Sequence, residues 1–234
     1  IIPTKNSERT LKKCLQSCLN QSYKNIEVLV VDNYSDDQTN QICTDLKVKV
    51  IECGPERNIQ RPTGVANTHG DWLVFIDSDM ELSPEIIKNC IEKTNQHKNI
   101  KALILPEVSD GKGFWTRCKI LERSCYLHYA PMEGIRMMDR SAYESVGGWD
   151  QTLIAGEDYD LFEKFQKAQY TIARSNEFII HDEGKIRLWP YLKKKFYYGK
   201  FLRPYIKNAH KRKSGSLARN FFLFRSCYYK HGKK

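Results

Sequence analysis

Phe75-Ile76-Asp77-Ser78-Asp79 closes a short apolar run that opens at Trp72 (Trp72-Leu73-Val74-Phe75-Ile76). A run without polar alternation predicts a strand covered on both faces, and this one stops on two carboxylates. Side chains at i and i+2 of an extended segment point to the same side, so Asp77 and Asp79 are expected to face one ion. Hard oxygen ligands of this kind select Mg²⁺ or Mn²⁺, which in turn hold phosphate oxygens. An Asp-x-Asp pair also describes a solvated turn. Its position after a buried strand favours the metal reading.

Upstream, Ile1-Ile2 begins a strand that ends at Pro3, and Ser7 is a candidate N-cap for a helix with Leu11, Cys14, Leu15, Cys18 and Leu19 on one face. Ile26 to Val31 is a second β-branched run, stopping at the turn-forming cluster Asp32-Asn33-Tyr34-Ser35-Asp36-Asp37, with a helix through Ile42 and a strand over Val48 to Glu52 behind it. Gly64 to Thr68 reads as part of a short helix closed by Gly70. Downstream, Ser83-Pro84-Glu85 opens a helix and Ala102 to Leu105 is a further strand. Strands alternating with helices predict an α/β fold with a mostly parallel central sheet flanked by helices. Ligands of such sheets sit beyond the carboxyl ends of the strands, which points to Pro3-Thr4-Lys5-Asn6, Asp32 and Asp77-Ser78-Asp79. From about residue 110 to 183 the pattern is mixed, with Gly147-Gly148-Trp149-Asp150 and Gly156-Glu157-Asp158 as its punctuation.

The 234 residues hold 27 aromatics and are 41% hydrophobic, which excludes a mainly disordered chain. No apolar stretch approaches the roughly 18–20 residues a membrane-spanning helix needs. The opening reads as the interior of a strand rather than a signal peptide, so residues are expected before Ile1. Eight cysteines include no C-x-x-C pair, which predicts reduced, mostly buried thiols in a cytosolic domain.

The formal charge of +10 is unevenly distributed. Residues 185–234 contain sixteen Lys and Arg and no acid, leaving 22 basic against 28 acidic residues before them. An acidic body carries a basic tail.

The series Pro3-Thr4-Lys5-Asn6, Val31-Asp32 through Thr39, Arg61-Pro62-Thr63-Gly64 with Gly70, and Phe75 to Asp79 resembles the nucleotide-binding half of family 2 glycosyltransferases with the GT-A fold. Gly147 to Asp150 and Gly156-Glu157-Asp158 resemble that family's acceptor-side loop and its E-D motif. The resemblance covers about residues 1–183 and implies an inverting transfer of a sugar from a nucleotide-diphosphate sugar (UDP- or GDP-sugar). It implies that Pro3 and Thr4, with Asn6 of the same segment, line the base pocket and that Asp32 accepts from the base or ribose. Arg61, or alternatively Arg57, would approach the base or diphosphate. Asp77 with Ser78 would touch the ribose, and Asp79, with Asp77, would ligate Mn²⁺ or Mg²⁺. Asp158 would be the general base, with Glu157 beside it. His181 is either a further metal ligand or an ordinary hydrogen-bonded histidine. Trp149 with Gly148 either forms an acceptor platform or belongs to the core. Asn33 and Pro62 depart from the family pattern. The chemistry is coherent: a carboxylate activates the acceptor oxygen while a cation stabilises the departing diphosphate.

Residues 1–184 are thus expected to form the GT-A domain (1–106 nucleotide-binding half, 107–184 acceptor half), and 185–234 a basic, aromatic helical extension. Trp189 to Tyr205 and Asn220 to Lys230 interleave aromatic with cationic residues, which suits an anionic membrane surface. That predicts a cytoplasmic protein, peripheral on the inner face of a membrane, with a lipid-linked or membrane-presented acceptor; a membrane segment after Lys234 is a further expectation. Two rival readings are a nucleotidyltransferase, which would normally show a Gly-rich phosphate loop that Pro3-Thr4-Lys5-Asn6 is not, and a non-catalytic nucleic-acid-binding module driven by the tail. Nucleic acid is not the expected partner.

Overall fold

A computed structural model describes residues 1–125, 127–128, 130–202, 205 and 206. The expected helical tail beyond residue 206, with its Asn220 to Lys230 segment and Cys227, lies outside the described residues.

β1 (Ile2–Thr4), α1 (Leu11–Leu19), β2 (Leu29–Asp32), α2 (Thr39–Asp45) and β3 (Lys49–Glu52) form the first two β-α-β units, with Thr4, Asp32 and Glu52 in register across three parallel strands. Each α1 residue at the expected i, i+3, i+4 spacing through Cys18 is buried. Large-to-small changes in such a core typically cost about 2–5 kcal/mol. Next come α3 (Arg57–Ala66), β4 (Trp72–Val74), β5 (Met80–Leu82), α4 (Ile86–Gln96), β6 (Ile100–Ile104) and β7 (Glu107–Asp110). The second half adds α5 (Phe114–Ser124), α6 (Ala130–Glu133), β8 (Met137–Asp139), α7 (Arg140–Ser145), α8 (Glu157–Lys167), β9 (Thr171–Arg174), β10 (Ile179–Asp182) and α9 (Leu188–Lys200).

β4, β8, β6 and β9 are neighbours in that order. The Ile1 nitrogen donates to the Val74 carbonyl (2.8 Å) and the Ile76 N–H to the Ile1 carbonyl (3.1 Å), joining the first sheet to the second. One continuous surface therefore runs β3-β2-β1-β4-β8-β6-β9. β8 is antiparallel to both its neighbours, so parallel pairing dominates the amino-terminal half and mixed pairing the rest. A small sheet, β5-β10-β7, lies at the carboxyl side of β4.

Three local expectations are corrected. Ser7 does not cap α1: its hydroxyl turns to the Lys5 carbonyl and Ser78, and the helix starts at Leu11 after a turn in which the Ser7 carbonyl accepts from Thr10 and Leu11. The strand within Ile26 to Val31 begins only at Leu29, where a partner in β3 becomes available. The helix around Gly64 starts at Arg57 and runs through Pro62, which withdraws one backbone donor without ending it. All described cysteines are free; Cys14, Cys18, Cys43 and Cys90 are buried, and Cys118 is exposed.

Candidate active site

The carboxyl ends of β1 and β2 gather the first group of expected residues. Asp32 is fully buried and accepts from the Thr4 hydroxyl (2.8 Å), the Ser35 N–H (2.7 Å) and the Ser35 hydroxyl (2.6 Å). Pro3 is buried beside Thr4. Asn6, in the left-handed region at φ +47°, donates its N–H to Ser35 and accepts from the Asp36 N–H. Gln60 of α3 donates to the Thr4 and Val31 carbonyls, tying the helix beneath both strands. Gly64 permits that approach, because a Cβ there would lie 2.3 Å from the Ile1 side chain.

Asp77 and Asp79 do not share one side. Ser78 and Asp79 form a turn closed by the Met80 N–H on the Asp77 carbonyl (3.0 Å), and the alternation of an extended strand stops there. The Ser78 hydroxyl lies 2.8 Å from that of Ser7. Asp77 takes Arg136 at 3.2 Å, Arg61 at 3.7 Å and Arg57 at 3.8 Å. Burial opposes its ionised form, yet Arg136, Arg57 and Arg61 hold it well below the usual carboxylate range. Asp79 Oδ2 instead meets His181 Nε2 at 3.3 Å. The antiparallel register sets His181 of β10 opposite Met80, the residue after Asp79. On its other side, His181 Nδ1 lies 3.2 Å from Glu107 Oε2 and 3.0 Å from Arg123.

Among the described residues no three His, Cys, Asp or Glu side chains converge as a metal cluster. Asp79 and His181 nevertheless bring one hard oxygen and one imidazole nitrogen together; the carboxylate suits Mn²⁺ or Mg²⁺, and the added nitrogen donor favours Mn²⁺ of the two. Asp77, engaged by three guanidinium groups, is not part of that pair.

The residues expected on the acceptor side gather on α8. Gly156, at φ +83°, turns the chain into the helix, and Glu157 and Asp158 occupy its first turn. Glu157 is buried, while the Asp158 side chain is 45% exposed. Arg61 Nη1 reaches Asp158 at 3.2 Å and Glu157 at 3.6 Å; Arg57 also reaches Glu157 at 3.6 Å. Burial and the Asp158 charge lift the Glu157 pKa to about 7 against the pull of both arginines. A cavity of about 260 Å³ opens beside Asp158, lined by Glu107, Lys119, Arg123, Arg136 and Lys195 among others.

The acceptor-platform reading of Trp149 and Gly148 is corrected. Trp149 is 4% exposed and meets Phe75 edge to face at 5.6 Å. The Arg61 guanidinium sits 4.3 Å over the indole ring, so the tryptophan supports a cation inside the core. Gly148, at φ +57°, faces Tyr143, whose ring a Cβ would meet at 2.6 Å, and its carbonyl accepts from Lys164.

Sequence reasoning overlooked Glu107, Arg123 and Arg136. Arg136 donates twice to Glu107 (2.6 and 3.0 Å) and once to Asp77, joining the two carboxylates. Arg123 pairs with Glu107 and with Glu183. The one available signal was a charge at the mouth of an apolar strand: Arg136 before Met137-Met138, and Glu107 after Ile104-Leu105-Pro106.

The family model for glycosyl transferase family 2 matches residues 1–147. The poly(ribitol-phosphate) β-N-acetylglucosaminyltransferase TarS of Staphylococcus aureus (strain Mu50 / ATCC 700699) is 32% identical over 124 residues, covering 48% of this chain and 21% of TarS. The GalNAc(5)-diNAcBac-PP-undecaprenol β-1,3-glucosyltransferase of Campylobacter jejuni is 28% identical over 106 residues, covering 41% of this chain and 34% of that enzyme. This chain thus spans well under half the length of these curated relatives. The structure of S. aureus TarS 1–349 in complex with UDP superposes with a TM-score of 0.64 at 21% identity, over 78% of this chain and 59% of that one. Glucosyl-3-phosphoglycerate synthase from Mycobacterium tuberculosis, solved with Mn²⁺, UDP and phosphoglyceric acid, gives 0.55 at 18% identity, over 82% and 72%. The two structures share the α/β architecture of the GT-A type.

Proposed function

The chain belongs to glycosyl transferase family 2, and on that premise we propose that it transfers a sugar, with inversion, from a nucleotide-diphosphate sugar to an acceptor hydroxyl or phosphate. One observation carries the reading: a single buried guanidinium, Arg61, lies 3.7 Å from Asp77 at the donor corner and 3.2 Å from Asp158 at the acceptor helix. Donor leaving group and acceptor nucleophile would therefore meet on either side of one fixed cation.

Pro3, Thr4, Asn6 and Asp32 bind the base and ribose end, with Ser78 and Asp77 next along the cleft. UDP is the nucleotide best supported, because the TarS and glucosyl-3-phosphoglycerate synthase structures hold it. Asp158 accepts the proton of the acceptor oxygen, which bonds to the anomeric carbon as the bond to the diphosphate breaks on the opposite face. Glu157 orients the acceptor and Arg61 tempers the charge between them. Bound by Asp79 and His181, Mn²⁺ or Mg²⁺ would supply Lewis-acid stabilisation to the departing diphosphate.

The acceptor in this reading is lipid-linked or membrane-presented, and the protein is peripheral on the inner, cytoplasmic face of a membrane. The support is α9, in which no residue is buried and Trp189 is 79% exposed amid Lys193, Lys194, Lys195 and Lys200. Among the described residues no helix is long and apolar enough to cross a membrane.

The test is calorimetry with UDP-, GDP- and dTDP-sugars, with and without Mn²⁺. Metal-dependent binding of one nucleotide class, weakened by changes at Thr4 or Asp79, is the expected result. Absence of binding to every nucleotide sugar would overturn the proposal.

A further inference from the structure

Of the helices that border the cavity beside Asp158, α5 has no part in the function proposed above. Lys119 and Arg123 of α5 and Lys195 of α9 all line it. α5 buries only Thr116. Its opposite face presents Phe114, Cys118 and Leu121, spaced i, i+4, i+7 and so within an arc of about 60°. Phe114 is 66% exposed and Leu121 68%, and the half-exposed Trp115 packs edge to face on Phe114 at 5.0 Å. α9 repeats the device with Trp189, Leu192 and Phe196 at i, i+3, i+7, all exposed. The two helices are tied at one end, where the Ile186 N–H donates to the Thr116 hydroxyl (2.9 Å), which in turn donates to the Gly184 carbonyl (3.2 Å). Single exposed apolar residues are ordinary; two such stripes on adjoining helices call for an occupant.

Charge selects that occupant. The α9 stripe is bordered by Lys193 and Lys200 and α9 holds no acid; Arg117 flanks the α5 stripe on one side, and on the other the charge of Glu122 is met by Lys119 at 3.0 Å. Rings and aliphatic groups rimmed by cations match a bilayer surface with anionic headgroups, where indoles settle at the interface and amines reach phosphates. A second copy of the chain would set these cations against their like.

We propose that α5 is a second membrane-contacting element, so that the anionic bilayer touches the exposed stripes of both helices. This rests on the reading that α9 meets a membrane, and extends it to a segment that composition does not mark.

The experiment uses the full chain with vesicles of phosphatidylcholine alone or mixed with phosphatidylglycerol. Phe114→Ser with Leu121→Ser is expected to weaken partitioning onto the anionic vesicles at least about tenfold, as removal of two large apolar contacts should. In Trp189→Phe, emission is expected to shift to the blue and to be quenched by brominated lipid, and both changes to vanish in Trp189→Phe with Trp115→Phe, which keeps only Trp72 and the buried Trp149. If the α5 double variant sediments like the unaltered protein while Leu192→Ser with Phe196→Ser is released, the role of α5 is overturned and that of α9 stands. If the unaltered protein ignores anionic vesicles, both readings fall. A dimer in light scattering that the α5 variant abolishes would assign the stripe to self-association and overturn the proposal.

Discussion

Glu107 Oε2 and His181 Nδ1 lie 3.2 Å apart, and the far nitrogen of the same ring lies 3.3 Å from Asp79, so one buried imidazole is held between two carboxylates. Burial disfavours its charged form, but hydrogen bonds to Asp79 and Glu107 outweigh that and raise its pKa to about 9. A group that binds its proton more tightly when folded stabilises the fold below its unfolded pKa of 6.5, and that contribution fades as pH rises through about 9. For the metal-free protein, denaturant titrations across this window should show unfolding free energy falling by an amount on the order of 3 kcal/mol. His181→Gln should flatten most of the slope; a variant that keeps it would show another group to be responsible.

Asp158 stands at the head of α8 with its side chain open to the cavity. Asp158→Asn keeps the shape and removes the proposed base, so turnover is expected to fall by about 10²–10⁴-fold. Calorimetric affinity for the donor should stay within a small factor of that of the unaltered protein. Near-normal turnover in the variant would place the base elsewhere.

The separate partners of Asp77 and Asp79 predict opposite phenotypes. Asp79→Ala should abolish the response of donor binding to added Mn²⁺, and EDTA should mimic it in the unaltered protein. Asp77→Ala should act on stability instead, because it takes one carboxylate from a buried cluster of arginines; Arg136 keeps Glu107 and Arg61 keeps Asp158 and Glu157, so the loss should stay below the roughly 3–5 kcal/mol of a fully broken buried pair. Titration with Mn²⁺ and chemical denaturation, run on both variants, separate the two effects.

Gly156 is strained for any other residue: its φ is +83°, and a Cβ would lie 2.6 Å from the Tyr205 ring. Gly156→Ala should therefore cost about 1–3 kcal/mol of stability and displace Glu157 and Asp158 together. A melting temperature and turnover equal to those of the unaltered protein would argue against that role.

Sequence reasoning reached the parallel strands and α1 because apolar runs and i, i+3, i+4 spacing are local signals, and β1, β2 and the Asp77 turn follow one another in the order that suggested the family. Thr4 and Asp32 lie at the strand ends where the apolar runs place them, for the same reason. The start of α3 was hidden by Pro62 and Gly64, which read as punctuation although Gly64 is there to let helix and strand touch. Arg136 and Glu107 left no trace of their partnership, because a contact across 29 positions has no short-range pattern. Trp149 was ambiguous until its burial beneath Arg61 was seen. Residues 1–106 and 107–184 were expected as two halves, yet Arg61, from the first, has Asp158 of the second as its nearest ion partner.

Arg57 and Arg61 project from adjacent turns of α3, and between them they engage Asp77, Glu157 and Asp158. An incoming pyrophosphate would share these guanidinium groups and, by taking up part of their charge in place, weaken their hold on Asp158. On the proposed function, the catalytic cycle would then acquire a compulsory sequence, with the nucleotide sugar loading ahead of its acceptor and the nucleoside diphosphate departing last. Product inhibition by that diphosphate should accordingly be competitive towards the donor and non-competitive towards the acceptor, and competition against both would mean random entry.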